Sequence, residues 1–324
     1  MPRKMFNALW SAATLILTLA APTAWAAWPE GKSIQIVVPY APGGTADALA
    51  RLLGQHLGPK LGSTVVVVNK PGASGVIGAQ AVAQANPDGF TVLYDATPFS
   101  INPHLQKLPF DADKDLIPVT QVAVTPMLLS VPKTSPYATA TDLIKAGKAS
   151  PGKLTFASGG QGTVQYMAPE LMNQAAGVNM LHIPYKSGGL AITGTISGEV
   201  DMGFFNLPAI SNHVKSGTVK ALAITSAQRN PLFPDVPTVA EVIGKPYESY
   251  EWNGVFLPRG TPAEVVNRLN TALREVLTMP EIKAKFDSLG SRIIASSPED
   301  FRKYLMAESG RWAATVKAAG IKKE

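Results

Sequence analysis

The stretch Ser33-Ile34-Gln35-Ile36-Val37-Val38-Pro39-Tyr40-Ala41-Pro42-Gly43-Gly44-Thr45-Ala46-Asp47 decides the fold. Its first half is a short apolar run rich in β-branched residues and reads as a buried strand over Ser33–Pro39. A Gly/Pro turn follows. Thr45–Leu61 then carries apolar residues at helical spacing, at Leu49, Leu52, Leu53 and Leu57. A strand entering a helix through a tight glycine turn is the unit of a layered α/β protein.

Outward from this unit the rhythm repeats. Thr64–Val68 is a second buried-strand pattern, Ala73–Ala85 reads as a helix, and Thr91–Tyr94 as a strand. A second series starts at Met127–Val131, with helix Thr139–Lys148, strand Leu154–Ala157 and helix Thr163–Gly177. Segments Asn179–Ile183, Ala191–Ser197, Asp201–Asn206 and Val219–Thr225 continue it. The C-terminal part is helical. Thr261-Pro262-Ala263-Glu264 predicts a helix start with Thr261 as N-cap, and Ser297-Pro298-Glu299-Asp300 opens another helix.

A chain of 324 residues suits two domains. The extended segments Val119–Val131 and Tyr247–Pro258 are candidates for crossings between them. On that reading lobe I is discontinuous, residues 27–122 plus 252–324, and lobe II is 123–251, with a ligand cleft between. Two sequential domains split near Pro126 are the alternative.

Residues 1–26 have the form of a signal peptide. Arg3 and Lys4 give a positive start, Leu9 to Ala21 an apolar run, and Ala24-Trp25-Ala26 a small-x-small cleavage site. The run is short for a membrane span of about 20 residues, and Pro22 interrupts it. Cleavage after Ala26 and a periplasmic location are expected. The chain has no Cys, which excludes disulfides, thiolate metal sites and a thiol nucleophile. Its 29 Lys and Arg against 23 Asp and Glu are scattered rather than clustered, so no nucleic-acid partner is expected.

Two loops follow a strand and open a helix, Pro39–Asp47 and Ser158-Gly159-Gly160-Gln161-Gly162-Thr163. Free N–H groups and the dipole at a helix start favour an anion, and glycine lets a ligand approach the backbone. The alternative is that these residues only make tight turns. Candidate ligand contacts are Tyr40, Ala41, Pro42, Gly43, Gly44, Asp47, Thr97, Ser158, Gln161, Gly162, Thr163, Asp201 and Phe205. Asp47 in a first helical turn is equally suited to capping, and Asp201 to locking a loop.

The glycine-rich run Pro71–Gly78 lacks the Gly-Lys-Ser/Thr of a phosphate loop and the Gly-x-Gly-x-x-Gly of a dinucleotide site, and Val76 breaks a Gly-x-Ser-x-Gly reading around Ser74. His56, His104, His182 and His213 show no metal spacing and read as surface or turn residues. No cofactor, metal or catalytic residue is expected.

The chain resembles the tripartite tricarboxylate transporter substrate-binding proteins, also called Bug proteins. The resemblance rests on Ile36–Tyr40 with Pro42-Gly43-Gly44 and Asp47, and on Asn69–Ala73 with Gly75 and Gly78-Ala79. Pro87-Asp88-Gly89, Asn102-Pro103, His182–Lys186 with Gly188, and Gly198 with Val200-Asp201 extend it. So do Pro234–Thr238 with Glu241, and Trp252 with Gly254 and Pro258. It implies an α/β, two-lobed periplasmic-binding-protein type II fold that closes on its ligand. It further implies a ligand carboxylate held by backbone groups and ordered water at Tyr40–Gly44 and Ser158–Thr163. Gln161 departs from the family's usual run in the second loop.

The expected function is capture of a small organic carboxylate by a monomer that hands it to membrane permease subunits. A ligand-presenting sensor component and an enzyme of carboxylate metabolism are the alternatives. The candidate loops hold no Arg, and Tyr40, Phe99, Tyr166, Phe204 and Phe205 lie near the expected cleft. If two or more of these aromatics line it, a monocarboxylate with an apolar or aromatic body is favoured over citrate.

Overall fold

The computed structural model describes residues 28–323. The expected signal peptide and its cleavage site after Ala26 lie outside the described residues.

Ile34–Val38 forms β1 and Thr45–Leu61 forms α1. After Val65–Asn69 (β2) comes a 3₁₀ turn, Ala73–Gly75, and then Val76–Ala83 (α2). The helix expected over Ala73–Ala85 is broken at its start, because Ala73, Ser74 and Gly75 have positive φ angles of 47°, 51° and 99°. Thr91–Ala96 (β3) and Pro98–Leu105 (α3) complete the first series.

Leu116–Pro132 (β4), a 17-residue strand, carries the chain into the second series. That series comprises Ala140–Ala149 (α4), Thr155–Ser158 (β5), Val164–Ala176 (α5), Leu181–Pro184 (β6) and Gly188–Ser197 (α6). Met202–Asn206 (β7), Leu207–Lys215 (α7), Val219–Ile224 (β8) and Val239–Ile243 (α8) follow. The chain returns along Tyr250–Pro258 (β9) to Ala263–Leu277 (α9), Pro280–Ser288 (α10), Arg292–Ile293 (β10) and Pro298–Ala318 (α11). Pro262, not Thr261, takes the N-cap of α9, because the Thr261 hydroxyl donates to the Pro258 carbonyl at 2.8 Å. Ser297 caps α11 as its sequence predicts, accepting from the Asp300 N–H.

Strand order is β2-β1-β3-β9-β4-β7-β5-β6, with β8 and β10 also on β4. The first half of β4 runs antiparallel to β9, from Leu116↔Pro258 to Pro126↔Tyr250. The second half pairs with β7 and β8, from Met127 onward. β4 is therefore the strand shared by the two halves of the sheet, while β9, on the chain's return, pairs only with β3 and the first half of β4. Within each half β1, β2 and β3, or β5, β6 and β7, are parallel. The inner strands β1, β3, β5 and β7 are covered by helices, whereas the edge strands β2 and β6 leave Val66, Leu181 and Ile183 exposed.

The cores follow the same division, with one exception. Leu49, Leu53, Val92, Leu257 and Leu273 pack in the first half, and Met127, Phe156, Met167, Met202 and Phe204 in the second. Ile101 and Leu105 of α3 and Trp312 and Val316 of α11, however, join the second core, while Phe301 of α11 packs with Trp252 and Phe256 in the first. Helix α11 thus fastens both halves, and its end does not belong to the first core alone. Side chains of this size each contribute about 1.5–3 kcal/mol on burial, which makes α11 a substantial clamp.

Candidate functional site

The carboxyl ends of parallel strands are where loops can open toward a ligand. Here the ends of β1, β2 and β3 deliver Tyr40–Gly44, Pro71–Gly75 and Asp95–Thr97. From the other half the end of β5 delivers Ser158–Thr163, and that of β7 delivers Asn206.

The first loop is held by a buried carboxylate. Asp47 Oδ2 accepts from the Gly43 N–H at 3.0 Å and from Arg51 Nε at 3.1 Å, and its Oδ1 accepts from Asn69 Nδ2 at 2.9 Å. Asn69 Nδ2 also donates to the Tyr40 carbonyl at 3.0 Å. The Arg51 bond, then the Gly43 N–H, hold the Asp47 carboxyl down at about 2. Asp47 is 4% exposed and fully engaged, so its candidate role as a ligand contact gives way to fastening the loop. Ala41, Pro42, Gly43 and Gly44 stay exposed, and Gly44 at the start of α1 receives no side-chain cap.

The second loop is built alike. Thr163 at the start of α5 makes no side-chain cap, and its hydroxyl donates to the Gly160 carbonyl at 2.7 Å. The Gly160 N–H donates to Ser158 Oγ at 3.0 Å, and Ser158 Oγ lies 2.6 Å from His182 Nε2. His182 packs against both Phe156 and Tyr166, with centroids 5.1 and 4.3 Å away, in a cluster of three rings. Burial lowers its pKa to about 4, so the ring is neutral. His182 is therefore a supporting residue of the loop, not the surface or turn histidine its isolation predicts. Gln161 is exposed.

Two candidates move away from the cleft. Asp201 Oδ2 accepts from the Thr155 N–H at 2.8 Å and the Thr155 hydroxyl at 2.9 Å, which locks β5 to the approach of β7. Phe205 is fully buried in a core with Leu128, Ile210 and Ile224. β7 is covered on both faces, so Phe205 and its neighbour Phe204 are buried in different cores. Phe99, Phe204 and Tyr166 are buried as well, and Tyr40 is the one of the five that is part exposed beside a loop. The aromatic-lined cleft is thus not observed. Thr97 is buried and accepts from the Trp252 N–H at 2.8 Å, tying β3 to β9.

Residues absent from the candidate set complete the site. The Tyr40 hydroxyl donates to Asp95 Oδ1 at 2.7 Å, and the Ala96 N–H to the same oxygen at 2.7 Å. A Cβ on Gly75 would lie 3.5 Å from the Tyr40 hydroxyl and 3.6 Å from Asp95 Oδ1. Asn102 Nδ2 donates to the Ser74 carbonyl at 3.0 Å. A Cβ on Gly162 would lie 2.9 Å from both Asn102 Oδ1 and Ser74 Oγ, so the second loop meets the first half of the molecule there. Asn206 donates to Glu251 Oε2. Burial raises Asp95 to about 7 and raises Glu251. The Gly72–Gly75 segment is legible only as a glycine run, and the Asp95–Tyr40 pair joins residues 55 apart.

A profile of the tripartite tricarboxylate transporter family receptor matches residues 49–321. The chain belongs to this family. Solved structures agree. The periplasmic binding protein BugD superposes with a TM-score of 0.79 at 34% identity, covering 90% of this chain and 99% of that one. Rhodopseudomonas palustris Rpa4515 with adipate gives 0.82 at 33% identity, covering 92% and 100%. MatC from the same organism with bound malate gives 0.77 at 30% identity, covering 88% and 98%. The fold is therefore the two-lobed α/β fold of periplasmic binding proteins, and family members are binding proteins rather than enzymes. Among the described residues no helix is long and apolar enough to cross a membrane, and no three His, Asp or Glu side chains gather at metal-binding distance.

Proposed function

We propose that this chain is a periplasmic receptor that captures a small organic carboxylate in the cleft between its lobes. It delivers the ligand to the membrane permease subunits of a tripartite tricarboxylate-type transporter. The lobes are residues 27–122 with 252–324 and residues 123–251, with α11 bridging them. Residues 1–26 are removed after Ala26 on export, and the mature chain acts as a monomer without catalysis, metal or cofactor.

The observation that carries this reading is the pair of glycine-rich strand ends, Tyr40–Gly44 and Ser158–Thr163, each opening a helix with no side-chain cap. Backbone N–H groups at such starts suit a carboxylate. Adipate and malate in two relatives are ligands of that class. Asp47 and His182 shape the loops without occupying them. A thermal-shift screen of the mature chain against mono-, di- and tricarboxylates tests the reading, since a ligand that binds only the folded state raises the apparent stability. A rise with a carboxylate and none with the corresponding alcohol or amide is expected. No rise with any carboxylate, or an equal rise with the neutral analogues, contradicts it.

A further inference from the structure

The two halves of the sheet are built to one plan. β1-α1-β2-α2-β3 and β5-α5-β6-α6-β7 run in the same order, and β2 and β6 are the outermost strands. Among the described residues six large apolar side chains are exposed: Val66, Ile77, Leu181, Ile183, Leu190 and Met306. All but Met306 fall on these two edge units, Val66 on β2 and Ile77 on α2, Leu181 and Ile183 on β6 and Leu190 on α6. Both units reach the cleft. Ile77 follows the Ser74–Gly75 turn, where Gly75 lies against Tyr40 and Asp95 and Ser74 against Gly162. Helix α6 starts at Gly188, whose backbone nitrogen is 2.7 Å from where a Cβ on Gly159 of the second loop would lie.

The charge pattern is matched too. Residues 63–87 contain Lys70 and no Asp or Glu, and residues 171–198 contain Lys186 and no Asp or Glu, in a chain of which 16% is charged. Both lysines are exposed, each within two residues of the end of its edge strand. Among the described residues neither makes an ion pair. Glu199, just beyond α6, accepts from the Tyr185 hydroxyl at 3.0 Å. Exposed apolar side chains gathered in this way mark an interaction surface. A lone lysine beside them is complemented by acidic groups on the partner. A second copy of the chain fits poorly, because an isologous contact sets like units together and brings lysine to lysine. A lipid surface fits poorly as well, since such binding takes about four to eight clustered basic residues and each unit has one.

We infer that β2–α2 and β6–α6 form a two-part docking surface, one part on each lobe beside the cleft, for an apolar, acid-bearing periplasmic face of the permease subunits. The inference rests on the reading of the chain as a transport receptor, and it adds where the transporter touches it. Ile77 and Leu190 supply apolar contact area, and Lys70 and Lys186 the charge that orients it. Because the two parts lie on different lobes, their separation changes as the cleft closes. A rigid partner that contacts both binds one state more tightly, and its binding favours that state.

The test is uptake of the carboxylate that gives the largest thermal shift, in cells of the source strain carrying Ile77→Glu, Leu190→Glu or both in place of the wild-type chain. Each purified variant is titrated with the same carboxylate. An acid at these exposed positions opposes the partner's own acids. In the double variant uptake is expected to fall about ten-fold or more while Kd stays within about two-fold of wild type. Met306→Glu, the same change at the exposed side chain outside the two units, is expected to leave uptake unchanged. A photo-crosslinking side chain in place of Ile77 or Leu190 is expected to form adducts with an integral membrane protein whose deletion abolishes that uptake. Normal uptake in the double variant, a fall matched by an equal loss of affinity or shared by Met306→Glu, or adducts only with a second copy or with lipid, overturns the inference and leaves the receptor reading standing. If the purified wild-type chain binds no carboxylate, the receptor reading falls and the inference with it.

Discussion

The Tyr40 hydroxyl donates to Asp95 Oδ1 at 2.7 Å and so joins the loop after β1 to the end of β3. Burial, opposed by that bond and the Ala96 N–H, raises the Asp95 carboxyl from 3.8 to about 7. Between these values the folded chain holds a proton that the unfolded chain has released. Stability contributed by this site is therefore full below about pH 4 and is lost as pH rises through 7. Asp95→Asn removes the titration. In urea unfolding from pH 4 to 8, the variant is expected to gain on wild type by more than about 1.4 kcal/mol, the equivalent of one pKa unit. A gap that stays constant with pH contradicts the assignment.

His182 acts in the opposite sense. Its pKa falls from 6.5 to about 4 through burial, so the unfolded chain binds the extra proton in that window. Stability at this site is present above 6.5 and is lost as pH falls through 4. His182→Gln is expected to flatten the acid side of the stability curve while keeping a partner for Ser158. An unchanged acid limb in the variant would refute a buried neutral ring.

Asp47→Ala releases the Gly43 N–H, Arg51 and Asn69 together. Hydrogen bonds to a charged group contribute about 1.5–3 kcal/mol, and a loss in that range is expected at neutral pH. The Asp47 carboxyl is lowered to about 2, so the cost persists down to the ordinary carboxylate range and fades as pH falls from 3.8 through 2. Chemical denaturation at pH 7 and pH 2.5 checks it; a cost that is the same at both would rule out the ionised carboxylate as its source.

Gly162→Ala places a methyl group 2.9 Å from Asn102 Oδ1 and Ser74 Oγ on the other lobe. Such a contact obstructs the approach of the lobes without disturbing either core. Ligand affinity is expected to fall at least ten-fold, about 1.4 kcal/mol, with the far-UV dichroism unchanged. Wild-type affinity in this variant would show that the contact at Gly162 plays no part in binding.

Local signals in the sequence carry most of the layer pattern. Thr45–Leu61 is the helix its leucine spacing predicts, and the β-branched runs at Ile34–Val38 and Val65–Asn69 are strands. Both glycine loops and the two long extended segments, now β4 and β9, are legible for the same reason, since each is a property of a few adjacent residues. What is not legible depends on distance along the chain. Asp95 lies just past the strand expected over Thr91–Tyr94, and nothing local marks it until Tyr40 is folded onto it. Phe205 is a candidate aromatic in the sequence, and only the packing of helices on both faces of β7 shows that its ring, like that of Phe204, is core. The start of α2 misleads because Ser74 and Gly75 take left-handed backbone angles that side-chain periodicity does not record.

The most direct test of the central claim is isothermal titration of wild type and Gly44→Val with the carboxylate that gives the largest thermal shift. A Cβ at Gly44 meets nothing in the protein closer than the Ala41 carbonyl at 3.7 Å, and Gly44 is exposed, so the variant is expected to fold. Wild type should bind one equivalent, and Gly44→Val should lose at least ten-fold in affinity because its side chain fills the approach to the backbone at the start of α1. A folded Gly44→Val variant with wild-type Kd would contradict the account, for it would remove the Tyr40–Gly44 loop from the binding site.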